Sequence, residues 1–269
     1  DKLVKSGQIY RLGMPYKADM PIFGKRTFSL TIPGLPVGGP FGTNGVIWND
    51  EVIFGELGQV GTQFDGLGHI GIHDKDGKQR WYNGHELAKG ENSYGLTKLG
   101  VEKIGPCITR GVLIDMVGLK GVKSMEKGEV ITADDIKAAV AKAGIAPIST
   151  GDAVMFNTGW GNYWAQPEIF NAGCPGIGVD AARYLIERNI SLVCADTWPV
   201  EAIPGDIPDH VFHVHQLMQT VNGIMFIENL NTQVMSQMAA DGVYEFMFIF
   251  NPVPFVGATG SPGDVIAIR

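Results

Sequence analysis

Long apolar runs, clusters of positive charge and paired cysteine motifs are all missing from this 269-residue chain. No window approaches the roughly 18 consecutive apolar residues that a membrane-spanning helix needs. Lysine and arginine never run beyond a pair and the net charge is -7, so the sequence lacks the basic surface that binds nucleic acid or anionic lipid. We therefore expect neither nucleic acid nor a membrane among the partners of this protein.

Motifs for two common kinds of catalysis are absent too. The sequence contains no GxSxG turn that would expose a serine nucleophile. It also contains no GxxxxGK[ST] loop that would hold the phosphates of a nucleotide. These absences disfavour serine-based acyl transfer and nucleotide hydrolysis as functions of the chain.

The three cysteines, Cys107, Cys174 and Cys194, are odd in number and form no CxxC pair. Such spacing supports neither a disulfide framework nor a zinc knuckle. We expect buried thiols in a reducing compartment, and therefore a cytoplasmic protein. Because the numbered chain begins with Asp1 rather than Met, a leader removed earlier stays an open alternative.

Glycine and proline are abundant, with 37 and 15 residues, which implies many turns between short elements rather than a helix bundle. The first fifty residues are rich in both. We interpret residues 1–50 as an arm that lies at an interface or covers a site. No internal repeat or low-complexity linker divides the rest of the chain, so we predict one domain over residues 1–269.

Short apolar runs alternate with helical patterns after this arm. Strands are predicted within residues 51–69, 110–115, 153–157, 191–195, 223–227 and 244–250. Helices are predicted over residues 132–144, 178–189 and 232–240, with a further short one that begins at His85. Thr132 is a good N-cap for the first helix and Gly144 a stop. Alternation of strand, helix and strand is typical of an α/β fold.

Residues 59–69, QVGTQFDGLGH, form the most informative segment. Side chains at even offsets share one face of an extended strand, so Gln59, Gln63 and Asp65 are predicted to point the same way. His69 follows after a glycine-rich turn. Amides, a carboxylate and an imidazole in this order are typical of an active site, although a polar edge strand that ends in a turn explains GTQxD alone equally well.

Histidines provide further candidates. The chain has six, and a histidine is more often a surface or core residue than a ligand, so context has to single one out. His69 is a stronger candidate because Asp65 lies four residues before it. His213 and His215 are stronger candidates because they lie in the histidine-rich segment HVFHVHQ, upstream of Glu228. These residues are the first candidates for proton transfer or metal binding.

Acidic and aromatic residues near predicted strand ends are weaker candidates. Asp196 and Glu201 flank residues 198–199 just after a strand, where α/β sheets commonly place binding groups. Turn formation explains Asp196 equally well. Trp160 and Trp164 either line a pocket for a flat substrate or pack in the core.

Taken together, these segments resemble the metal-dependent cyclase family, which includes bacterial kynurenine formamidase and isatin hydrolase. The family signature HxGTHxDxPxH corresponds here to residues 59–69. Blocks similar to the remaining family segments follow in order at residues 152–160, 174–177, 195–197, 214–217, 223–224, 228–229 and 257–262. The resemblance spans nearly the whole chain after residue 50. It implies an α/β fold of the swivelling β/β/α type, with a mixed sheet and flanking helices.

The resemblance also implies roles for individual residues. Asp65 is expected to bind a divalent metal and His69 to act as the acid and base. His215 and Glu228 are expected to complete the site. We take four aromatic residues as candidates for substrate binding: Phe64, Trp81, Trp160 and Trp198.

Gln59 and Gln63 stand where the family has two histidine ligands. A glutamine offers a neutral carbonyl oxygen in place of an imidazole nitrogen. We expect these two amides to join the ligand set, to weaken Zn²⁺ binding and to favour Mn²⁺ or another oxygen-preferring ion. The expected cofactor is therefore a divalent metal, Mn²⁺ or Zn²⁺.

The leading hypothesis is a metal-dependent hydrolase that acts on a small cyclic or aryl amide, lactam or lactone. A metal held by Asp65 and its partners would activate water and polarise a carbonyl, while His69 moves a proton to the leaving group. Two alternatives stay open: a metal-assisted cyclase or dehydratase, and a non-catalytic binding protein that has lost its metal. The resemblance further implies a homo-oligomer, a dimer or tetramer, with a small molecule as substrate.

Overall fold

Nine strands form one mixed sheet in the parts of the chain that the computed structural model describes, residues 2–86 and 94–269. The strands of the chain are β1 (Ile9–Arg11), β2 (Phe28–Thr31), β3 (Gly38–Phe41), β4 (Val46–Trp48), β5 (Val52–Gly55), β6 (Gln63–Asp65), β7 (Ile72–His73), β8 (Gln79–Arg80), β9 (Cys107–Asp115), β10 (Val130–Ile131), β11 (Ala153–Asn157), β12 (Gly176–Ile177), β13 (Leu192–Ala195), β14 (Met225–Glu228), β15 (Glu245–Phe250), β16 (Gly260–Pro262) and β17 (Ile266–Ile268). The helices are α1 (Met116–Lys120), α2 (Ala133–Ala143), α3 (Pro167–Phe170), α4 (Val179–Glu187), α5 (His213–His215) and α6 (Thr232–Ala240).

The centre of the sheet is parallel and its margins are antiparallel. Its order is β1-β17-β15-β9-β11-β13-β14-β6-β16. β9, β11, β13 and β14 run parallel, as expected of apolar strands that are joined by helical crossovers. β15 and β17 pair antiparallel on one side, and β6 pairs antiparallel with β14 on the other. β6, the strand of the signature segment, therefore lies directly beside Glu228 at the end of β14.

Alternation along the central strands divides the core between the two faces of the sheet. Val154 and Phe156 of β11 pack on the face covered by α2 and α4. Ala153 and Met155 pack on the opposite face with α6 and the phenylalanines of β15. Each fully buried large side chain stabilises the fold by roughly 1.5–3 kcal/mol. Both faces are covered, which is why these strands occur in the sequence as continuous apolar runs.

Local sequence determines the bounds of α2. The Thr132 side chain accepts a hydrogen bond from the Asp135 backbone N–H, and the Asp135 carboxylate accepts one from the Thr132 N–H. This capping box satisfies two backbone donors at the start of the helix. Gly144 adopts the left-handed conformation, with φ 66°, and ends it. The helix predicted over residues 132–144 is confirmed, as are helices α4 and α6 with small differences at their ends.

The signature segment departs from the single strand that was predicted. Only Gln63–Asp65 has strand geometry, because the chain bends at Gly61, where φ is 62°. A Cβ at Gly61 would lie 2.8 Å from the ring of Tyr16, so glycine is required there. The side chain of Gln59 lines the same cavity as those of Gln63 and Asp65. It does so because of this bend, and not because it alternates with them along one strand. A short helix was predicted to begin at His85. Its continuation falls on residues 87–93, which lie outside the described residues.

The arm and the adjoining strand β5 form two small antiparallel sheets apart from the main one, β2 with β5 and β3 with β4. Many large hydrophobic side chains of the arm and β5 are exposed: Phe23, Leu30, Ile32, Leu35, Phe41, Val46, Ile47, Trp48, Val52, Ile53 and Phe54. These eleven are half of the 22 exposed large hydrophobic residues in the described parts of the chain. Such a concentration is unusual for a surface that faces only water.

The cysteines agree with the sequence prediction of free thiols. Cys174 and Cys194 are buried and Cys107 is partly buried, and none forms a disulfide. Burial raises the pKa of the Cys174 and Cys194 thiols well above the usual value, which makes both unreactive. Among the described helices, none combines the length and the apolar character needed to cross a membrane.

Candidate metal centre

The candidate site lies where β6 pairs with β14. Gln63 stands opposite Glu228, and Asp65 stands opposite Phe226. Alternation turns Gln63, Asp65 and Glu228 towards one cavity, and turns Phe64 into the core on the other face of the sheet. The site is therefore built on two hydrogen-bonded strands, which hold its side chains more rigidly than a loop would.

Asp65, His215 and Glu228 form a buried cluster beneath this cavity. One potential ligand atom from each residue lies within 4.8 Å of the others. His215 Nε2 is 3.1 Å from Glu228 Oε1 and 3.9 Å from Asp65 Oδ2. Burial and the nearby Asp65 carboxylate raise the pKa of Glu228, because two negative charges repel strongly away from water. A divalent cation at this point would remove that repulsion.

The donor chemistry of the cluster fits a divalent metal ion. Two carboxylates and one imidazole offer hard oxygen ligands and a single nitrogen, a set that suits Mn²⁺ and is compatible with Zn²⁺. All three side chains are at most 4% exposed, so their charges are poorly compensated by solvent. Asp65, His215 and Glu228 would hold the ion at the wall of a cavity that a substrate can enter.

Glu201 orients His215 from the side opposite to the cluster. Its Oε1 lies 2.5 Å from His215 Nδ1, and the same carboxylate accepts the backbone N–H groups of Val214 and His215. The His215 ring also stacks on Phe226 at 4.2 Å between centroids. Burial lowers the pKa of His215, but hydrogen bonds to Glu201 and Glu228 outweigh burial and raise it. With Nδ1 engaged in this way, Nε2 faces the carboxylates, as in the carboxylate–histidine pairs of metal sites.

Gln59 and Gln63, expected as metal ligands, use their amide nitrogens towards the cluster. Gln59 Nε2 donates to Asp65 Oδ1 at 2.6 Å, and Gln63 Nε2 donates to Glu228 Oε2 at 2.8 Å. The two amides also approach each other, with Gln63 Nε2 3.5 Å from Gln59 Oε1. An amide that donates to a carboxylate fixes its position without supplying an oxygen to the ion. In this geometry the glutamines hold the two carboxylates in place, and their role as metal ligands stays a prediction.

His69 lies at the edge of the cluster, beside Asp65. Its Nε2 is 3.8 Å from Asp65 Oδ2, and its side chain is 20% exposed to the cavity. A turn, closed by a hydrogen bond of 3.0 Å from His69 N to Gly66 O, brings it back to the end of β6. Burial lowers the pKa of His69 against the opposing effect of Asp65, so the imidazole is neutral near pH 7. A neutral imidazole can accept a proton.

The cavity above these residues has a volume of about 150 Å³ and mixed walls. It is lined by Phe23, Arg26, Gln59, Gln63, Asp65, His69, Ile70, Trp198, Pro199, Phe212, His215 and Glu228. Phe23 and Trp198 stack with their ring centroids 4.3 Å apart, and Phe212 meets Trp198 edge-on at 6.2 Å. A small, partly aromatic cavity with a polar base suits a small planar molecule.

The amino-acid sequence matches the sequence model of the cyclase family, described as "Putative cyclase", over residues 10–202. The chain belongs to this cyclase family. The matched region covers more than half of the chain and includes the whole signature segment. A comparison with curated proteins found no match.

Solved structures of the cyclase family share the fold. A structure titled as a novel cyclase has 27% sequence identity, with a TM-score of 0.85, and the match covers 100% of this chain and 90% of that one. An isatin hydrolase bound to the product analogue thioisatinate has 20% identity and a TM-score of 0.67, over 97% and 91% of the two chains. A potential metal-dependent hydrolase with cyclase activity has 18% identity and a TM-score of 0.56, over 97% and 98%. The expected α/β fold with a mixed sheet and flanking helices is confirmed.

Of the four aromatic residues expected to bind substrate in this cyclase-family chain, only Trp198 lines the cavity. Phe64 is 1% exposed and packs against Phe250 at 5.2 Å between ring centroids. Trp160 is buried and donates its indole N–H to Phe170 O at 3.1 Å. Trp81 does not belong to the cavity wall either. The expectation fails for Phe64 because it alternates with Gln63 and Asp65, so it must point to the opposite face.

The remaining polar candidates have structural positions outside the cavity. Asp196 is fully buried and accepts hydrogen bonds from Thr158 and Thr232, so it ties the ends of β11 and β13 to α6. His213 contacts His210 at the surface, with 3.2 Å between their Nδ1 atoms. The sequence indicated Glu201 as a candidate but did not predict its hydrogen bond to His215. Nor did the sequence single out Phe23, Arg26 or Phe212 as residues of the cavity wall. No local pattern could have revealed these contacts, because they join segments distant in the sequence.

Proposed function

We propose that this cyclase-family protein is a metal-dependent hydrolase of a small cyclic or aryl amide, lactam or lactone. The observation that carries the proposal is the convergence of Asp65, His215 and Glu228 on one point, with His69 beside them at the base of a cavity. Family membership supports an enzyme, and the similar structures include an isatin hydrolase and a potential metal-dependent hydrolase. The amide, lactam or lactone is our proposal from the chemistry of the site.

The metal ligands and His69 have separate roles in the proposed reaction. A divalent ion held by Asp65, His215 and Glu228 would supply Lewis-acid polarisation of the carbonyl and a water molecule of lowered pKa. His69 Nε2 takes one proton from the attacking water as the new carbon–oxygen bond forms. It returns that proton to the leaving nitrogen or oxygen as the carbon–nitrogen or carbon–oxygen bond breaks. The reaction consumes one water and needs no redox partner.

The aromatic wall contributes by positioning the substrate. Phe23 and Trp198 form a stacked pair beside the cavity, and a planar ring can lie against such a pair. Contact with these rings excludes water from one face of the substrate and leaves its carbonyl directed to the polar base. Positioning of this kind lowers the entropic part of the barrier.

A non-catalytic binding protein is the second candidate, and one observation favours it. Gln59 and Gln63 replace two imidazoles of the family signature, and their amides donate to Asp65 and Glu228. Hydrogen bonds of this kind stabilise the carboxylates without a metal ion. Metal-assisted ring closure or dehydration is the catalytic alternative, and it would use the same acid and base with loss of water.

A substrate panel tests the proposal. Purified protein, dialysed against Mn²⁺ and then against buffer, is incubated with an aryl formamide, a bicyclic lactam and an aryl lactone. We expect at least one of them to be hydrolysed, detected by mass spectrometry as a ring-opened lactam or lactone heavier by one water or as an aryl amine released with formate from the formamide, and no product from protein treated with a chelator. Loss of water from a hydroxy acid would favour the cyclase alternative. Absence of turnover across the panel, with a ring compound still bound, would favour the binding protein.

A further inference from the structure

Arg26 is a cation in the wall of the candidate site that forms no ion pair within the described residues. It lines the cavity and is partly buried. Throughout residues 2–86 and 94–269, no hydrogen bond or ion pair of Arg26 is found, whereas Arg11, Arg80 and Arg110 are each paired with a carboxylate. An arginine that faces a cavity without a partner is available to a ligand, because its guanidinium presents five N–H donors in a fork.

The contacts of Arg26 place it beside the aromatic wall. Its guanidinium carbon lies 5.9 Å from the centre of the Phe23 ring, and Phe23 stacks on Trp198. A planar ring that lies against this wall would present a substituent on its edge to the guanidinium. Aromatic stacking and a charged hydrogen bond can then act on the same small molecule.

The charges of the cavity wall favour an anion at this point. Asp65 and Glu228 are the two carboxylates of the lining, and one divalent ion would balance both. The charge of Arg26 then has no carboxylate of the cavity wall to balance it, although, after backbone hydrogen bonding, Arg26 is among the groups that lower the pKa of the exposed Glu56 outside the cavity. Arg26 lines the same cavity of about 150 Å³ as Asp65, His69 and Glu228, so the guanidinium and the polar base face one small space.

We propose that Arg26 binds the carboxylate of the ligand, so that the site selects aromatic acids over uncharged rings of the same size. This inference rests on the proposed function only for the identity of the reaction, since binding of the acid needs no turnover. A bidentate arginine–carboxylate pair is the strongest hydrogen-bonded pair that a side chain can offer here. Arg26 is thus the specificity-determining residue of the cavity, and the substrate class narrows to aromatic amides, lactams or lactones that already carry a carboxylate.

Binding of benzoate and benzamide, measured by titration calorimetry on the Mn²⁺-loaded full chain, tests the proposal. The two probes share one ring and differ in charge. We expect benzoate to bind at least about tenfold more tightly than benzamide, and Arg26→Gln to remove that preference by weakening benzoate alone. Arg183→Gln is the matched control, because Arg183 is exposed on α4 and lies outside the cavity.

Three results would overturn the proposal. These are benzamide binding as tightly as benzoate, equal benzoate affinity in the wild-type protein and Arg26→Gln, or an equal loss in Arg183→Gln. Equal benzoate affinity in the wild-type protein and Arg26→Gln would mean that benzoate binds without Arg26, for example through the metal alone. Arg26→Lys provides a second variant that keeps the charge but not the fork, and we expect it to retain part of the preference. Arg26-dependent binding without hydrolysis of any panel substrate would reject the proposed function and leave this inference standing.

Discussion

At the scale of single residues, the site depends on side chains that do not touch the substrate. His215 is held by Glu201 on one side and faces Asp65 and Glu228 on the other. The carboxylate of Glu201 accepts three N–H groups, so its negative charge is stabilised although it is almost fully buried. Glu201 is therefore a positioning residue that acts through the His215 ring.

The substitution Glu201→Gln tests this positioning role. It keeps the size of the side chain but removes its charge, so His215 Nε2 becomes a poorer ligand. We expect the affinity for Mn²⁺ to fall by about 10- to 100-fold, as measured by titration calorimetry. Glu168→Gln, an exposed residue in the first turn of α3, should leave the affinity unchanged. Wild-type affinity in Glu201→Gln would contradict the role assigned to this carboxylate.

At the scale of elements, β6 serves the site on one face and the core on the other. Gln63 and Asp65 point to the cavity, whereas Phe64 packs among buried residues such as Ile227 and Phe250. Thr62 anchors the start of the strand, because its hydroxyl donates to Asn229 O at 2.8 Å just after β14. Core packing and this anchor together determine where the two polar side chains stand.

Phe64→Ala separates the two faces of β6 experimentally. Removal of a fully buried ring should lower the free energy of unfolding by about 3–5 kcal/mol, measured by urea denaturation. The folded variant should still bind Mn²⁺, because Phe64 faces away from the cluster. A variant that kept wild-type stability but lost affinity for the aromatic probes would show instead that Phe64 contacts the ligand.

The sequence predicted regular elements better than it predicted irregular ones. The helix over residues 132–144 was predictable because its cap, its apolar spacing and its stop are all local. The bend at Gly61 was not, because glycine is required there by the ring of Tyr16, which lies 45 residues earlier in the chain. Asp65 and His69 were named through the family signature and His215 and Glu228 through the wider family resemblance, and the structure brings the four together. Glu201 and Arg26 act through long-range contacts that no spacing rule describes.

At the scale of the whole molecule, the arm leaves a large apolar surface without a partner. The eleven exposed hydrophobic side chains of the arm and the adjoining β5, each of roughly 150–200 Å² and about half exposed, present on the order of 800–1,000 Å². A standard interface buries about 800 Å² on each partner. We propose that a second copy of this chain covers the arm, and that the protein is a homo-oligomer.

Light scattering after size exclusion tests the oligomer. We expect a particle of at least twice the mass of one chain, and a shift towards the monomer in Phe54→Asp, because an unpaired charge would be buried at the interface. Val122→Asp is the control, since Val122 is exposed outside the arm. A wild-type monomer, or equal mass in both variants and the wild-type protein, would contradict the proposal.

The central claim is that Asp65, His215 and Glu228 hold a divalent ion, and one measurement tests it most directly. Mn²⁺ binding is measured by elemental analysis after dialysis and by titration calorimetry, on the wild-type protein, Glu228→Gln and the exposed control Glu187→Gln. The account predicts a stoichiometric ion in the wild-type protein and in Glu187→Gln, and a loss of affinity of at least about tenfold in Glu228→Gln. No retained ion in the wild-type protein, or wild-type affinity in Glu228→Gln, would contradict it.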